Sequence, residues 1–209
     1  VGQINLIKFD LSDNKKLKNL IDNSDIIINL IGILFEKKRN DFINLHYNFV
    51  KRLVDNINLN KKNFIQISAL GVNRYKNSLY SRSKFNAEEY IQKNSKKFSI
   101  VRPGLIFGPE DNFFCKFAKM SLFSPFLPLI MGGETKFQPV YVEDVCKGIM
   151  KILKKNITNQ IFEFGGPDIF TFKELLQILL KTINRKKLLI YIPKIAAIIM
   201  AKFFQVLPN

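Results

Sequence analysis

Short apolar runs rich in β-branched residues recur along this chain, and between them the pattern changes to helical periodicity. Asp25-Ile26-Ile27-Ile28-Asn29-Leu30-Ile31 closes at Gly32, and Phe64-Ile65-Gln66-Ile67 ends at Ser68. Both are too short and too β-branched for helices, and they read as strands buried on both faces. Ser99 to Pro103 and Ile161 to Phe164 are further strands, and Ile4 to Phe9 reads as another that ends at Asp10. Helices are expected from a cap at Ser12 or Asp13 to about Ile21, from Asp41 to about Asn58, from Tyr80 to about Asn94 and from Val142 to Lys154. Strands alternating with helices make βαβ units with right-handed crossovers. The expected fold class is therefore α/β, a Rossmann-like doubly wound parallel sheet over residues 1–103. A smaller α/β lobe over 104–209 would follow, with elements returning to the first domain. Function in such sheets gathers at the carboxyl ends of the strands, which places Asp10, Gly32, Ser68 and Pro103 along one rim.

Beyond Pro103 the pattern is less regular. Phe113 to Leu122 reads as a helix broken by Ser124-Pro125-Phe126-Leu127-Pro128, and Phe137 to Tyr141 as a strand. Thr171 caps a helix starting at Phe172, with Glu174 at the capping-box position. Leu188 to Pro193 leads into Lys194 to Val206, an apolar helix interrupted by Lys194 and Lys202. The uninterrupted stretch is far short of the roughly 20 residues that span a bilayer. It reads as a core helix, or as an interfacial or docking face for a large complex. The run Leu122 to Met131 belongs to the same surface or walls a pocket. The first residue is Val1 and the last lie inside an apolar segment, so the chain reads as a fragment open at both ends. The missing leader then says nothing about targeting.

A formal net charge of +16 raises nucleic acid or anionic lipid as partners. The lysines are scattered in pairs, such as Lys15-Lys16, Lys61-Lys62 and Lys154-Lys155, rather than gathered on one element. That pattern, with abundant Asn, Ile and Phe, reads as the ordinary surface of a protein written by AT-rich DNA. No specific nucleic-acid binding is expected. The single histidine, His46, and two cysteines without ligand spacing, Cys115 and Cys146, argue against a zinc site. Both thiols read as reduced core residues.

The chemistry centres on Tyr80-Ser81-Arg82-Ser83-Lys84. A Tyr and a Lys four apart share one helix face. An ammonium beside a phenol is expected to lower its pKa from about 10, so that it can exchange a proton with a carbonyl or alcohol. Ser68 ends the preceding strand, twelve positions before Tyr80, where its hydroxyl can bond the same oxygen.

Ile67 to Val72, Tyr80 to Lys84, and Val101-Arg102-Pro103-Gly104-Leu105-Ile106-Phe107-Gly108-Pro109 through Phe114 together resemble the atypical or extended short-chain dehydrogenases/reductases. Within that group they are most similar to the nucleotide-binding accessory subunits of respiratory complex I and their bacterial relatives. Asn29 to Leu34, Thr135 to Val145 and Phe164 to Leu175 carry the same resemblance, which covers nearly the whole chain. It implies NADP(H) or NAD(H) as cofactor, with the Gly-rich phosphate turn upstream of Val1. It implies cofactor contacts at Asp10 and Leu11 near adenine, at Asn29, Leu30 and Gly32 beside the ribose, at Tyr80 and Lys84, and at Pro103 and Gly104 near the nicotinamide. Helix capping is an equal reading for Asp10, and tight turns are for Gly32 and Pro103-Gly104. His46 lies behind the catalytic centre or is a satisfied core residue. Arg102 and Lys136 are candidates for orienting substrate or phosphate, although Arg102 reads better as the holder of a buried carboxylate such as Asp144.

Two functions stay open. One is an accessory subunit of NADH:ubiquinone oxidoreductase holding a structural nucleotide and contacting complex I subunits. The other is an active NAD(P)-dependent reductase, dehydrogenase or epimerase using Ser68, Tyr80 and Lys84, with a quinone- or isoprenoid-related substrate suiting the apolar lobe. Either implies a place peripheral to a membrane, on the cytoplasmic face of a bacterial inner membrane or the mitochondrial matrix side.

Overall fold

The computed structural model describes residues 3–57, 62–75 and 77–193. These divide into two compact units: residues up to Pro103 with Lys147–Phe164, and Gly104–Cys146 with the residues from Gly165 onward.

The first unit is built on a four-stranded parallel sheet. Its strands are β1 (Ile26–Asn29), β2 (Asn63–Ile67), β3 (Phe98–Pro103) and, returning late in the chain, β8 (Gln160–Phe164), ordered β1-β2-β3-β8. Ile28 faces Ile65 across the first ladder, Ile65 faces Ser99, and Val101 faces Phe162. Central β3 is buried along its whole length, as an apolar β-branched strand between two neighbours should be. Three helices cover the sheet: α1 (Asn14–Asp22), α2 (Phe49–Asn56) and α3 (Leu79–Asn94). The Asp13 side chain accepts the Lys16 amide and starts α1. Leu17 and Ile21, one turn apart, then meet Val50, Leu53 and Val54 of α2 and Ala87 and Ile91 of α3 in one core with Phe64 and Ile100. Burying each large aliphatic side chain contributes about 1.5–3 kcal/mol. A π-helical segment, Ile43–Asn48, leads into α2.

Two expectations fail in this unit. Ile4 to Phe9 is not a strand: no described residue pairs with it, and Leu6 is 91% exposed. Apolar alternation does not make a strand without a neighbouring strand to take up its N–H and C=O groups. Only Phe9 and Leu11 pack on the core. β1 is also not buried on both faces. It is the sheet's edge among the described residues, with Ile26 42% and Ile28 40% exposed.

The second unit holds three short strand pairs. β4 (Leu105–Phe107) runs parallel to β7 (Pro139–Tyr141), β5 (Phe126–Ile130) parallel to β10 (Leu188–Ile192), and β6 (Lys136–Phe137) antiparallel to β9 (Phe170–Thr171). Helices α4 (Phe114–Phe123) and α6 (Phe172–Thr182) enclose a core of Leu127, Leu129, Leu176, Leu179 and Leu180. The capping box at Thr171 and Glu174 forms as expected. Phe113 lies with its ring 5.0 Å from Phe114, 5.3 Å from Phe117 and 5.8 Å from Phe137. The break at Ser124 to Pro128 ends α4 at Phe123 as expected, and Phe126 to Pro128 then enter β5. A ladder only two strands wide leaves room for Pro128. The expected strand from Phe137 to Tyr141 divides at Gln138 into β6 and β7. α5 (Val142–Lys154) follows it. Cys146 on α5 is exposed and Cys115 is half-buried, so neither is a core thiol. The expected helix from Lys194 to Val206 lies outside the described residues. No helix among the described residues is long and apolar enough to cross a membrane.

Candidate functional site

The site forms at the carboxyl ends of β1, β2 and β3, in the first unit. Ser78 caps α3 by accepting the Ser81 amide at 3.0 Å, which puts Tyr80 in the first turn and Lys84 one turn on. Both point the same way, and the Lys84 ammonium lies 5.6 Å from the Tyr80 ring centroid. Lys84 is buried, and its Nζ donates to the Ile67 carbonyl over a long 3.5 Å. That carbonyl also accepts from Gln66 Nε2 at 2.9 Å, and Gln66 Oε1 accepts from Asn29 Nδ2 at 2.9 Å. Asn29 Oδ1 in turn accepts the Ile31 amide at 3.1 Å and shapes the turn at the end of β1. A buried amide pair thus ties the ends of β1 and β2 together beneath Lys84.

Gly32 completes the arrangement. A Cβ there would sit 3.4 Å from Lys84 Nζ and 3.7 Å from His46 Nε2. The glycine lets the backbone of the β1 turn approach both groups closely. Leu30 before it is exposed. Ser68 is buried just past β2, with its amide bonded to the Val101 carbonyl at 2.7 Å, and its hydroxyl has no hydrogen-bond partner. Pro103 ends β3, and its carbonyl accepts the Leu70 amide at 2.8 Å, holding the Pro103-Gly104 turn to the loop after Ser68.

The electrostatics correct one expectation. The Tyr80 hydroxyl is held above the ordinary phenol range by burial, rather than pulled below it by Lys84. Lys84 itself is brought down to about 8 by burial, against the opposing pull of Glu88. His46 falls to about 4, by burial and then by the Lys84 charge. At neutral pH the site therefore holds one ammonium, a neutral imidazole and a neutral phenol.

His46 unites its two readings: it is a satisfied core residue and it lies against Tyr80. Its ring is 5.4 Å from the Tyr80 ring, edge-on, and stacks on Phe42. Arg102 is structural: it holds the buried carboxylate of Glu88 and also bonds Glu163. A helix-facing arginine on β3 reaches α3 and its own sheet neighbour first. Asp10 does not cap α1, since Asp13 does; the Asp10 carboxylate instead accepts the Ser12 amide at 2.8 Å, which lowers its pKa. Leu11 is half-buried against the core. Lys136 is an exposed residue of β6 whose charge acts on Glu174. Among the described residues no group of three or more His, Cys, Asp or Glu could hold a metal.

Sequence reasoning missed Gln66, Ser83 and Glu88. A glutamine inside an apolar strand, and a glutamate on the helix face of Tyr80 and Lys84, were the available signals.

The model of the NAD dependent epimerase/dehydratase family matches residues 1–165. The chain belongs to this family. Two relatives carry the name NADH dehydrogenase (ubiquinone) 1 alpha subcomplex subunit 9, mitochondrial. That of Dictyostelium discoideum is 31% identical over 86% of this chain and 50% of its own length. That of Arabidopsis thaliana is 34% identical over 86% of this chain and 46% of its own length. The chain thus spans about half the length of these relatives. Among solved structures, the UDP-glucuronic acid 4-epimerase of Bacillus cereus, in complex with UDP-glucuronic acid and NAD, superposes with a TM-score of 0.78 at 20% identity, covering 91% of this chain and 69% of that one. At that identity the likeness establishes the Rossmann-like fold of this epimerase/dehydratase member and nothing about its substrate.

Proposed function

We propose that this chain is the nucleotide-holding part of an accessory subunit of NADH:ubiquinone oxidoreductase, and that it keeps NADP(H) or NAD(H) as a structural ligand. The observation that carries the reading is Lys84. A buried ammonium with one long hydrogen bond among the described residues is short of acceptors, and burial of a cation is costly unless it is paired. Vicinal hydroxyls supply neutral oxygen acceptors for such a group. The unpartnered hydroxyl of Ser68 and the glycine at position 32 belong to the same strand ends. The residues present therefore fit a nucleotide. Lys84 and Tyr80 would hold its ribose and nicotinamide end, with Asn29, Leu30 and Gly32 alongside and Pro103-Gly104 beyond. Asp10 and Leu11 would meet adenine. When bound, such a cofactor supplies hydride transfer. The part played by Ser68, Tyr80 and Lys84 is to bind and orient. The similarity to complex I subunits over 86% of the chain supports complex I subunits as partners. It also supports a place on the matrix side, peripheral to the inner membrane.

A second reading has one observation in its favour. Ser68, Tyr80 and Lys84 are all present, with Tyr80 and Lys84 in contact. On this reading the protein is an active NAD(P)-dependent reductase, dehydrogenase or epimerase, in which Tyr80 exchanges the proton and Lys84 holds it in place. Isolating the natural protein from its own membranes under mild conditions, and identifying co-purifying proteins and nucleotide by mass spectrometry, separates the two. Complex I subunits with about one nucleotide per chain support the accessory-subunit reading. A lone protein with exchangeable nucleotide overturns it.

A further inference from the structure

His46 is the one buried titratable group at the site for which the nucleotide reading finds no use, and both of its ring nitrogens are engaged. Nε2 accepts the backbone N–H of Ile33 at 3.0 Å. An amide can only donate, so Nε2 carries no proton and the neutral ring carries it on Nδ1. Nδ1–H then donates to Ser83 Oγ, 2.9 Å away, and Ser83 Oγ donates to the Tyr80 carbonyl, also at 2.9 Å. The result is a directed chain from the amide after Gly32, through imidazole and hydroxyl, to the backbone of α3 at Tyr80. The ring is 2% exposed and is clasped by Phe42 and Tyr80. It leaves a π-helical segment, a form that often marks a local adjustment for function.

We infer that His46 is a positioning residue, a fixed-tautomer latch that sets the distance between the Gly32-Ile33 turn and the Tyr80–Lys84 face of α3, and thereby the width of the nucleotide-holding slot. The inference rests on the nucleotide reading only for its consequence on binding. The latch itself is a property of the chain. The titratable groups facing the ring are Lys84, whose Nζ lies against the same glycine, and Tyr80, a neutral phenol. Neither can replace the acceptor at Ile33. An acceptor of similar reach can, which makes glutamine the replacement that keeps the Ile33 bond. Leucine keeps the bulk and removes both bonds.

The test uses the natural protein, with wild type, His46→Gln, His46→Leu and Ser83→Ala compared. With one histidine in this chain, long-range proton–nitrogen correlation of the assigned His46 ring reads its tautomer, and hydrogen exchange reads the Ile33 amide. The expected results are an Nδ1–H tautomer and an Ile33 amide slow to exchange in wild type and His46→Gln. In His46→Leu that amide should exchange at least ten-fold faster, and NADH or NADPH should bind on the order of ten-fold more weakly, with His46→Gln restored to within about three-fold. Ser83→Ala, which leaves the Ile33 bond, should keep both the protection and the Nδ1–H tautomer. An Nε2–H tautomer, or an Ile33 amide unaffected by leucine, overturns the latch. Equal nucleotide affinity in wild type and a folded His46→Leu overturns its role in setting the slot. Wild type that binds neither nucleotide refutes the nucleotide reading instead, and the latch is then decided by exchange at Ile33.

Discussion

Replacing Arg102 by methionine should be among the most damaging single changes in the first unit. Glu88 is 0% exposed. Three contacts from Arg102 converge on it: Nε at 3.1 and 3.2 Å from its two oxygens, and a terminal guanidinium nitrogen at 2.6 Å. Methionine fills part of the volume and leaves a buried carboxylate with its charge uncompensated. Breaking one side of such a pair costs about 3–5 kcal/mol. For a chain of this size each kcal/mol lowers the melting temperature by roughly 2–4 °C, so the expected drop is roughly 6–20 °C. The outer contact is different in kind. Glu163 is bonded to Arg102 at 3.2 Å, with its side chain 39% exposed. Water screens that pair, and Glu163→Gln should cost under about 1 kcal/mol. Removing both members of the buried pair tests the cause. Arg102→Met with Glu88→Leu should recover most of the loss, because the unpaired charge is gone. Urea unfolding followed by circular dichroism measures all four proteins, with an unchanged slope confirming that stability alone has moved. An Arg102→Met protein that loses less than about 1 kcal/mol, or a double variant no better than Arg102→Met, would refute the reasoning.

Nucleotide affinity should fall as pH rises through about 8, because Lys84 binds ligand oxygen only as an ammonium and its pKa is lowered to that value; an affinity flat from pH 7 to 10 contradicts this. Gly32→Ala places a methyl 3.4 Å from Lys84 Nζ and 3.7 Å from His46 Nε2. It should weaken nucleotide binding several-fold while changing the melting temperature little, as titration and thermal scans would show. Asp13→Ala removes the cap of α1 and should cost about 1 kcal/mol in urea unfolding.

The central sheet was readable because β2 and β3 are flanked on both sides, and a strand in that position must be apolar along its length. Pattern alone failed wherever the outcome depended on a partner elsewhere in the chain. Ile4 to Phe9 has the composition of a strand and no neighbour to pair with. Phe126 to Ile130 contains Pro128, which hides it as a strand, and its pairing with residues 188–192 lies about sixty positions away. The site was legible in outline. Tyr80 and Lys84 share a helix face by spacing, and Gly32 and Ser68 fall at strand ends by the rule of parallel sheets. The identity of Arg102's partner was not legible. Glu88 sits on a different element, and only the packing of α3 on β3 brings it to Arg102. The direction of the Tyr80 shift was not legible either, because it is set by burial. His46 could be placed near the site but not assigned, since its two hydrogen bonds run to residues 13 and 37 positions away.

The account rests on Lys84 as a holder of nucleotide in a protein that need not turn over. The most direct measurement is the nucleotide content of the natural protein purified as wild type, Tyr80→Phe and Lys84→Met. Wild type and Tyr80→Phe should carry the same nucleotide at about one per chain, and folded Lys84→Met should lose most of it. Full occupancy in Lys84→Met, or none in wild type, would contradict the account.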